Sequence, residues 1–401
     1  MMHIGQVAIP AAVRGFRSDA LLFNVGVESG RVVSIEPSVD GAPAQGTLLP
    51  ALVDLHVHLD KSYTVAETGP ANGDLFKAIE LIQAHRAGWT AENLRQRMER
   101  GLSEAWHNGT RALRTHLDWM SPERPPAIDV FLELQSAWRG RLELQWVSLT
   151  ALDMFRDAAW AEQLARQVKE GGGILGCFIY RNPDLQAPLQ RVFDLAERFD
   201  LALDFHVDEG LDADATGLRA IAQATLAARA RGWAGRVTCG HACSLSVQPS
   251  EEASATLVLC AQAGVSLVAL PTTNLYLQGS WQGTPLERGI TRLIEARQAG
   301  VNVALASDNV ADPFFPYGCY DPLEAWALGV QMAHLAPAGH WLDTITTAPA
   351  KTMGLAWDGR IAVGAPADFL LLQATDTSAH ALDLMTPAGR RRRVCRQGQW
   401  I

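Results

Sequence analysis

Lysine is almost missing from this 401-residue chain. Of its 34 basic residues only Lys61, Lys77, Lys169 and Lys351 are lysines, and the rest are arginines. Chemistry that needs a lysine at a chosen place has four positions to draw on, a restriction that matters once the strands are located. Cysteine is sparse too. Cys177, Cys239, Cys243, Cys260, Cys319 and Cys395 are scattered, and a chain this long buries enough core to need no disulfide staples. Cys239 and Cys243 have helical spacing, but no second pair completes a zinc ribbon, so all six are expected to be reduced thiols. No apolar run reaches the ~18 residues of a membrane span. The N-terminus has neither the basic n-region nor the long apolar h-region of a secretory signal, so the expected compartment is the cytoplasm. Positive charge is also short. Forty-three acidic residues against 34 basic ones leave a net charge of −9, which argues against a general binder of polymeric nucleic acid. The run Arg390 to Arg393 is the local exception and reads as a solvated strand edge.

The chain does have a hydrophobic fraction of 48% with 19% charged residues, the balance of a well-packed globular protein. Both ends are β-rich. Leu21 to Val27 and Arg31 to Ile35 are separated by the turn Glu28-Ser29-Gly30, Asp368 to Gln373 reads as an apolar strand, and Arg392 to Ile401 reads as a hairpin around Gln397-Gly398. Between them, eight short apolar runs alternate with amphipathic stretches. The predicted strands are Leu52–His56, Ala112–Leu117, Leu144–Leu149, Ile174–Phe178, Ala202–His206, Arg236–His241, Ser266–Leu270 and Asn302–Ser307. Helices are predicted over segments such as Leu75–Arg86, Ala127–Trp138, Ala158–Glu170 and Leu286–Ala299. Alternation alone also fits a doubly wound sheet. The count of eight, and the lack of a Gly-rich phosphate fingerprint after the first strand, favour a (β/α)8 TIM-like barrel over residues 51–355. Residues 1–50 and 356–401 would then pair into a small composite β-sandwich domain into which the barrel is inserted.

The candidate chemistry sits at the predicted strand ends. His56 and His58 are two apart, so on a strand they share a face and both imidazoles can bind one ion. His206 closes the fifth strand, with Glu209 three residues on as a possible acid or base. His241 closes the sixth strand, and Asp308 follows the eighth. Each alone could be incidental; four such groups on the catalytic rim of a barrel are not. Arg114 and His116, two apart on the second strand, read as supports for that site.

At these residues the chain resembles the amidohydrolase superfamily, nearest its cytosine deaminase-like branch. The resemblance is carried by Leu49-Pro50, His56-Val57-His58-Leu59-Asp60, Arg114-Thr115-His116-Leu117-Asp118, His206-Val207-Asp208-Glu209, Gly240-His241, Ser307-Asp308-Asn309 and Asp312-Pro313. It is also similar to the N-isopropylammelide isopropyl amidohydrolases through His58-Leu59-Asp60-Lys61 and Ser307-Asp308-Asn309. The resemblance implies that His56, His58, His206 and Asp308 hold one divalent metal ion, zinc or iron. Two-metal members of the superfamily use a carbamylated lysine at the end of the fourth strand; here Gly173 to Arg181 contains none, which points to a single ion. By the same resemblance Asp308 accepts a proton from water, Glu209 protonates a ring nitrogen and His241 stabilises the developing oxyanion.

The implied activity is hydrolytic deamination of a small nitrogen heterocycle, with removal of an N-alkylamino group from a triazine-like ring as the alternative. A non-catalytic barrel is disfavoured by the intact ligand set and Glu209. Cytosine itself fits poorly. The position of the family's base-reading Gln is Ala151, the second acid after the metal Asp is Asn309, and the stacking Trp is matched by Phe314; Leu75 does match a pocket position. Tyr180 and Arg181 are polar groups new to the rim, and an inward-facing Arg181 would pair with a carboxylate or carbonyl of the substrate. Barrels of this kind commonly form homo-oligomers, but no heptad or apolar stripe sets a stoichiometry.

Overall fold

The computed structural model describes residues 2–38, 44–373 and 391–401; Arg390 of the arginine run lies outside them. Strands are numbered in chain order. The N-terminal segment supplies β1 (Met2–Ala8), β2 (Leu22–Glu28), β3 (Arg31–Pro37) and β4 (Gly46–Pro50). Eight parallel strands follow: β5 (Leu52–Val57), β6 (Thr110–Asp118), β7 (Glu143–Ala151), β8 (Ile174–Ile179), β9 (Leu203–Val207), β10 (Val237–His241), β11 (Val265–Ala269) and β12 (Asn302–Leu305). The C-terminal segment adds β13 (Phe369–Gln373), β14 (Arg392–Arg396) and β15 (Gln399–Trp400). All eight expected barrel strands form within a few residues of their predicted bounds, because short runs buried on both faces leave little choice of conformation.

β5 to β12 pair in sequential order as a TIM-like barrel. The seam between β5 and β12 is closed by a bridge from Val57 to Asp308 and a bond from the Asp308 N–H to the His56 carbonyl at 2.9 Å. The Asp54 side chain, wholly buried, reinforces that seam by accepting the Ser307 N–H at 3.1 Å. The two termini share one seven-stranded mixed sheet, ordered β15-β14-β13-β4-β1-β2-β3, in which β13 runs antiparallel to β4. Its hairpins turn where left-handed backbone was expected, at Ser29-Gly30 (φ 49° and 74°) and Gln397-Gly398 (φ 49° and 80°). β4 passes directly into β5, so the terminal sheet and the first metal-facing strand are one continuous segment. Among the described residues no helix is long and apolar enough to cross a membrane.

Two expectations need correction. The helix expected over Leu286–Ala299 begins only at Leu293 and ends at Gln298. The preceding stretch is irregular, because Gly279 and Gly289 adopt left-handed φ of 92° and 69° and the Arg288 guanidinium is drawn back to the Leu275 carbonyl. The arginine run is also not wholly a solvated edge. Arg392 donates to the Asn108 carbonyl at 3.0 Å and makes a two-pronged pair with Asp321, whose carboxylate caps the helix Pro322–Met332 at the Leu323 N–H. The ion pair ties the terminal sheet to the barrel, and both side chains are largely buried. Arg392→Ala leaves that carboxylate without its cation, so it should lower stability by about 3 kcal/mol, read as a shift in urea midpoint.

Candidate active site

The ends of β5, β9 and β12 converge. His56 and His58 alternate with Leu55 and Val57 on β5 and point into the barrel mouth, His206 does so from β9, and Asp308 follows β12. His206 Nε2 lies 3.1 Å from His56 Nε2 and 3.2 Å from His58 Nε2; Asp308 Oδ1 lies 3.2 Å from His58 Nε2 and 3.6 Å from His56 Nε2. Ligand atoms about 2.0–2.2 Å from a tetrahedral ion would stand roughly 3.4 Å from one another, so these spacings are those of a metal cage.

The chemistry of the donor set agrees. Burial, followed by neighbouring imidazoles or the Lys61 charge, holds His56, His58 and His206 well below the usual histidine range, so they are neutral near pH 7. Neither oxygen of the buried Asp308 carboxylate has a hydrogen-bond partner. Three imidazole lone pairs and a carboxylate facing one another in a dry site repel unless a cation sits among them. These four residues could therefore hold a divalent ion.

Further groups surround that set. His116 stacks on His56 with ring centroids 3.9 Å apart, and its Nε2 lies 3.3 Å from Asp204 Oδ1. Arg114 holds the other Asp204 oxygen at 2.8 Å. The two residues expected to support the site thus meet on one buried carboxylate two residues before His206. Gly240 is required for a different reason: a Cβ there would lie 2.8 Å from His56 Cε1, inside contact distance.

Glu209 and His241 face the same space. His241 Nδ1 is 3.0 Å from the Asn274 amide nitrogen and 3.3 Å from Glu209 Oε1, while its Nε2 has no protein partner. With Asn274 donating to Nδ1, the Nε2–H is left as a donor. Burial lowers His241 to about 4, keeping it neutral. Burial, with repulsion from Asp308, pushes Glu209 well above the usual carboxylate range despite the nearby Lys61 charge, which favours its protonated form. Asp208, His241 and Asp308 all adopt left-handed backbone (φ 48°, 69° and 62°), a strain that turns the chain sharply at three strand ends. Asp208 itself is occupied in capping the helix Gly217–Ala230 through the Gly217 and Leu218 N–H groups.

A cavity of about 530 Å³ opens from these groups, within the range of small-molecule sites. All six positions expected to contact substrate border it: Leu75, Ala151, Tyr180, Arg181, Asn309 and Phe314. They are not equally placed. Asn309 spends its amide donor on Asp312 at 2.6 Å. Arg181 does not face inward over the site. It stands at the mouth, 57% exposed, with its guanidinium 3.4 Å from Asp212 and 4.9 Å from the Tyr180 ring centre, because its left-handed backbone (φ 57°) turns the chain outward.

Much of the cavity wall was not anticipated. Beside the expected Leu75, Phe76, Ile79, Ile82, Gln83 and Arg86 line it from the helix Leu75–Arg86. Their helical spacing is a signal present in the sequence; what it faces is not. Asp204 and Asn274 were also missed, although Asn274 lies just past a predicted strand end.

Comparison with known proteins agrees with this geometry. The model of the "Amidohydrolase family" matches residues 132–399. A pterin deaminase of Rhizobium rhizogenes (strain K84 / ATCC BAA-868) is 42% identical over 335 residues, covering 82% of this chain and 75% of that protein. An N-isopropylammelide isopropyl amidohydrolase of Pseudomonas sp. (strain ADP) is 26% identical over 374 residues, 88% of each. In fold, the chain is similar to 5-methylcytosine deaminase from Klebsiella pneumoniae liganded with 5-fluorocytosine, with a TM-score of 0.83, 24% identity and coverage of 100% of this chain and 97% of that one.

Gly240→Ala pushes the His56 ring out of the cage. It should weaken binding of added zinc by about 10–100-fold, measured by competition with a chromophoric chelator, while the far-ultraviolet circular dichroism stays unchanged.

Proposed function

The chain belongs to the amidohydrolase family, and from that premise we propose that it is a metal-dependent aminohydrolase releasing ammonia from a cyclic amidine, on a ring system larger than cytosine. The observation that carries this reading is a buried Glu209, 3.3 Å from His241 and beside the three-histidine, one-aspartate cage, all opening on one cavity. The 42% identical pterin deaminase supports a fused bicycle as substrate. So does Ala151, which stands where the resemblance sets a base-reading side chain and leaves the cavity open toward Leu152 and Met154.

Residues 51–355 carry the chemistry, and residues 1–50 with 356–401 form the accessory β domain. His56, His58, His206 and Asp308 would hold a single ion, zinc or iron; β8 (Ile174–Ile179) offers no lysine for a bridging carbamate. Bound there, the ion supplies a nucleophilic water near neutral pH by lowering its pKa toward about 7. The protein's own groups do the rest. Asp308 accepts the proton of the attacking water, and Glu209 gives its proton to the ring nitrogen next to the reacting carbon. His241 Nε2–H bonds the oxygen that gains negative charge, while Asn274 keeps the imidazole in that tautomer. A proton then passes to the departing amine, and ammonia leaves.

Glu209→Gln should lower kcat by about two to four orders of magnitude with bound metal retained. A raised carboxyl acts as an acid only while protonated, so wild-type activity falls as rising pH removes that proton, and Glu209→Gln lacks this fall. Ammonia release from 2-aminopteridine, aminopyrimidine and aminotriazine rings checks the reading. Free alkylamine from an N-alkylamino triazine, with no ammonia from any aminopteridine, would instead favour the activity named for the 26% identical relative.

A further inference from the structure

The base-reading positions expected from cytosine-type sites keep only one polar side chain here, that of Asn309. Ala151 has no polar side chain, Phe314 is apolar and Asn309 commits its amide donor to Asp312. At the mouth, Asn182 donates to Asp153 at 3.0 Å and Arg181 turns to Asp212, so those groups also hold one another. Excluding the reacting groups, Tyr180 and Asn309 remain as single polar groups, and the one cluster of polar side chains on the wall lies between β5 and β6: Lys61, Asp118, Gln83 and Arg86.

Lys61 and Asp118 border the cavity, yet they are only 3% and 2% exposed, so neither is a solvated surface charge. Lys61 Nζ donates to Asp118 Oδ1 at 2.7 Å, which leaves two of its three protons free. The other Asp118 oxygen takes Arg86, and the Asp118 N–H donates to Asp60 Oδ2 at 2.8 Å. The carboxylate is therefore held on both oxygens and its backbone is tied to Asp60. Burial alone would raise it, but the Lys61 and Arg86 charges reverse that and hold it below the usual carboxylate range. Burial would lower Lys61, and Asp118 with Asp60 outweighs it and raises the ammonium. Asp118 is thus locked as an acceptor and Lys61 as a donor.

We infer that Lys61 and Asp118 are the specificity-determining pair of this site, reading a lactam edge of the substrate: Lys61 donates to a ring carbonyl and Asp118 accepts from the adjacent ring N–H. The inference rests on the aminohydrolase reading above and narrows its substrate class to a cyclic amidine that shares its ring with a lactam, as in 2-amino-4-oxopteridine. The 2,4-diamino ring presents an acceptor and a donor where the lactam has a donor and an acceptor, and neither locked group can exchange roles to suit it. Arg86, through its grip on Asp118, is a positioning residue.

The test compares kcat/KM for 2-amino-4-oxopteridine and 2,4-diaminopteridine on zinc-loaded full-length protein. Sites built to hydrogen-bond a polar edge reject its mismatch strongly, so the wild type should prefer the lactam by at least ~100-fold. Asp118→Asn and Lys61→Gln should each narrow that ratio by at least ~10-fold, and Arg86→Met should narrow it less. Because both rings are assayed on one preparation, partial misfolding or metal loss lowers both rates and leaves the ratio unmoved. A wild-type ratio near one, or a ratio unchanged in both Asp118→Asn and Lys61→Gln, overturns the assignment and leaves aminohydrolysis standing. Ammonia released from neither ring overturns the aminohydrolase reading and this one with it.

Discussion

Everything in this protein is arranged around the cost of burying Asp308. Its carboxylate is fully buried at the barrel seam, has among the described residues only the Thr273 hydroxyl as a weak neighbouring donor, and points at imidazoles that are themselves neutral. An unpaired buried carboxylate is among the least favourable groups a protein can contain. A divalent cation removes the penalty, and the surrounding structure ensures that nothing else does. Asp54 and the Val57–Asp308 bridge fix the seam, left-handed backbone at Asp308 aims the side chain inward, and Gly240 clears room for the His56 ring. The strand ends are strained because the ligand geometry requires it, and the rest of the barrel supplies the rigidity that maintains the strain.

The same logic operates one layer further out with opposite means. Around Lys61, Asp118, Arg86 and Asp60, buried charges are matched within the protein and need no ion. Below the cage, Arg114 and His116 share Asp204 in the same way. The ion pairs on the flanks leave Asp308 as the carboxylate of this region with neither oxygen paired to a protein cation.

What could be read in the sequence was what depends on local period. The eight strands, the shared face of His56 and His58, and the positions of His206, His241 and Asp308 at strand ends follow from periods of 2 and 3.6 and from where apolar runs stop. What could not be read depends on partners far away in the chain. Asp204 reads locally as one polar residue within a strand, and its role needs Arg114, ninety residues earlier. Arg86 ends an ordinary amphipathic helix until Asp118 is known to lie beside it. The direction of Arg181 is left open by the sequence because residue type gives reach and charge, whereas backbone φ decides aim. The shortened helix at Leu293 failed likewise, since two left-handed glycines outweighed an apolar pattern.

The loss of the usual base-reading side chains then has a structural explanation. Ala151 puts no polar group at the β7 end of the cavity, and the larger ring proposed above would not be read from the position that serves a single ring. Recognition has to move to a wall that the longer ring still passes. The β5–β6 wall is suited to it because Lys61 lies three residues after His58, so the side chain proposed to read the substrate is built on the same strand extension that carries His56 and His58. A side chain placed by the strand that places the ligands keeps its register with the reacting carbon when the rest of the cavity is remodelled, whereas mouth residues such as Arg181, on a turned and exposed loop, do not.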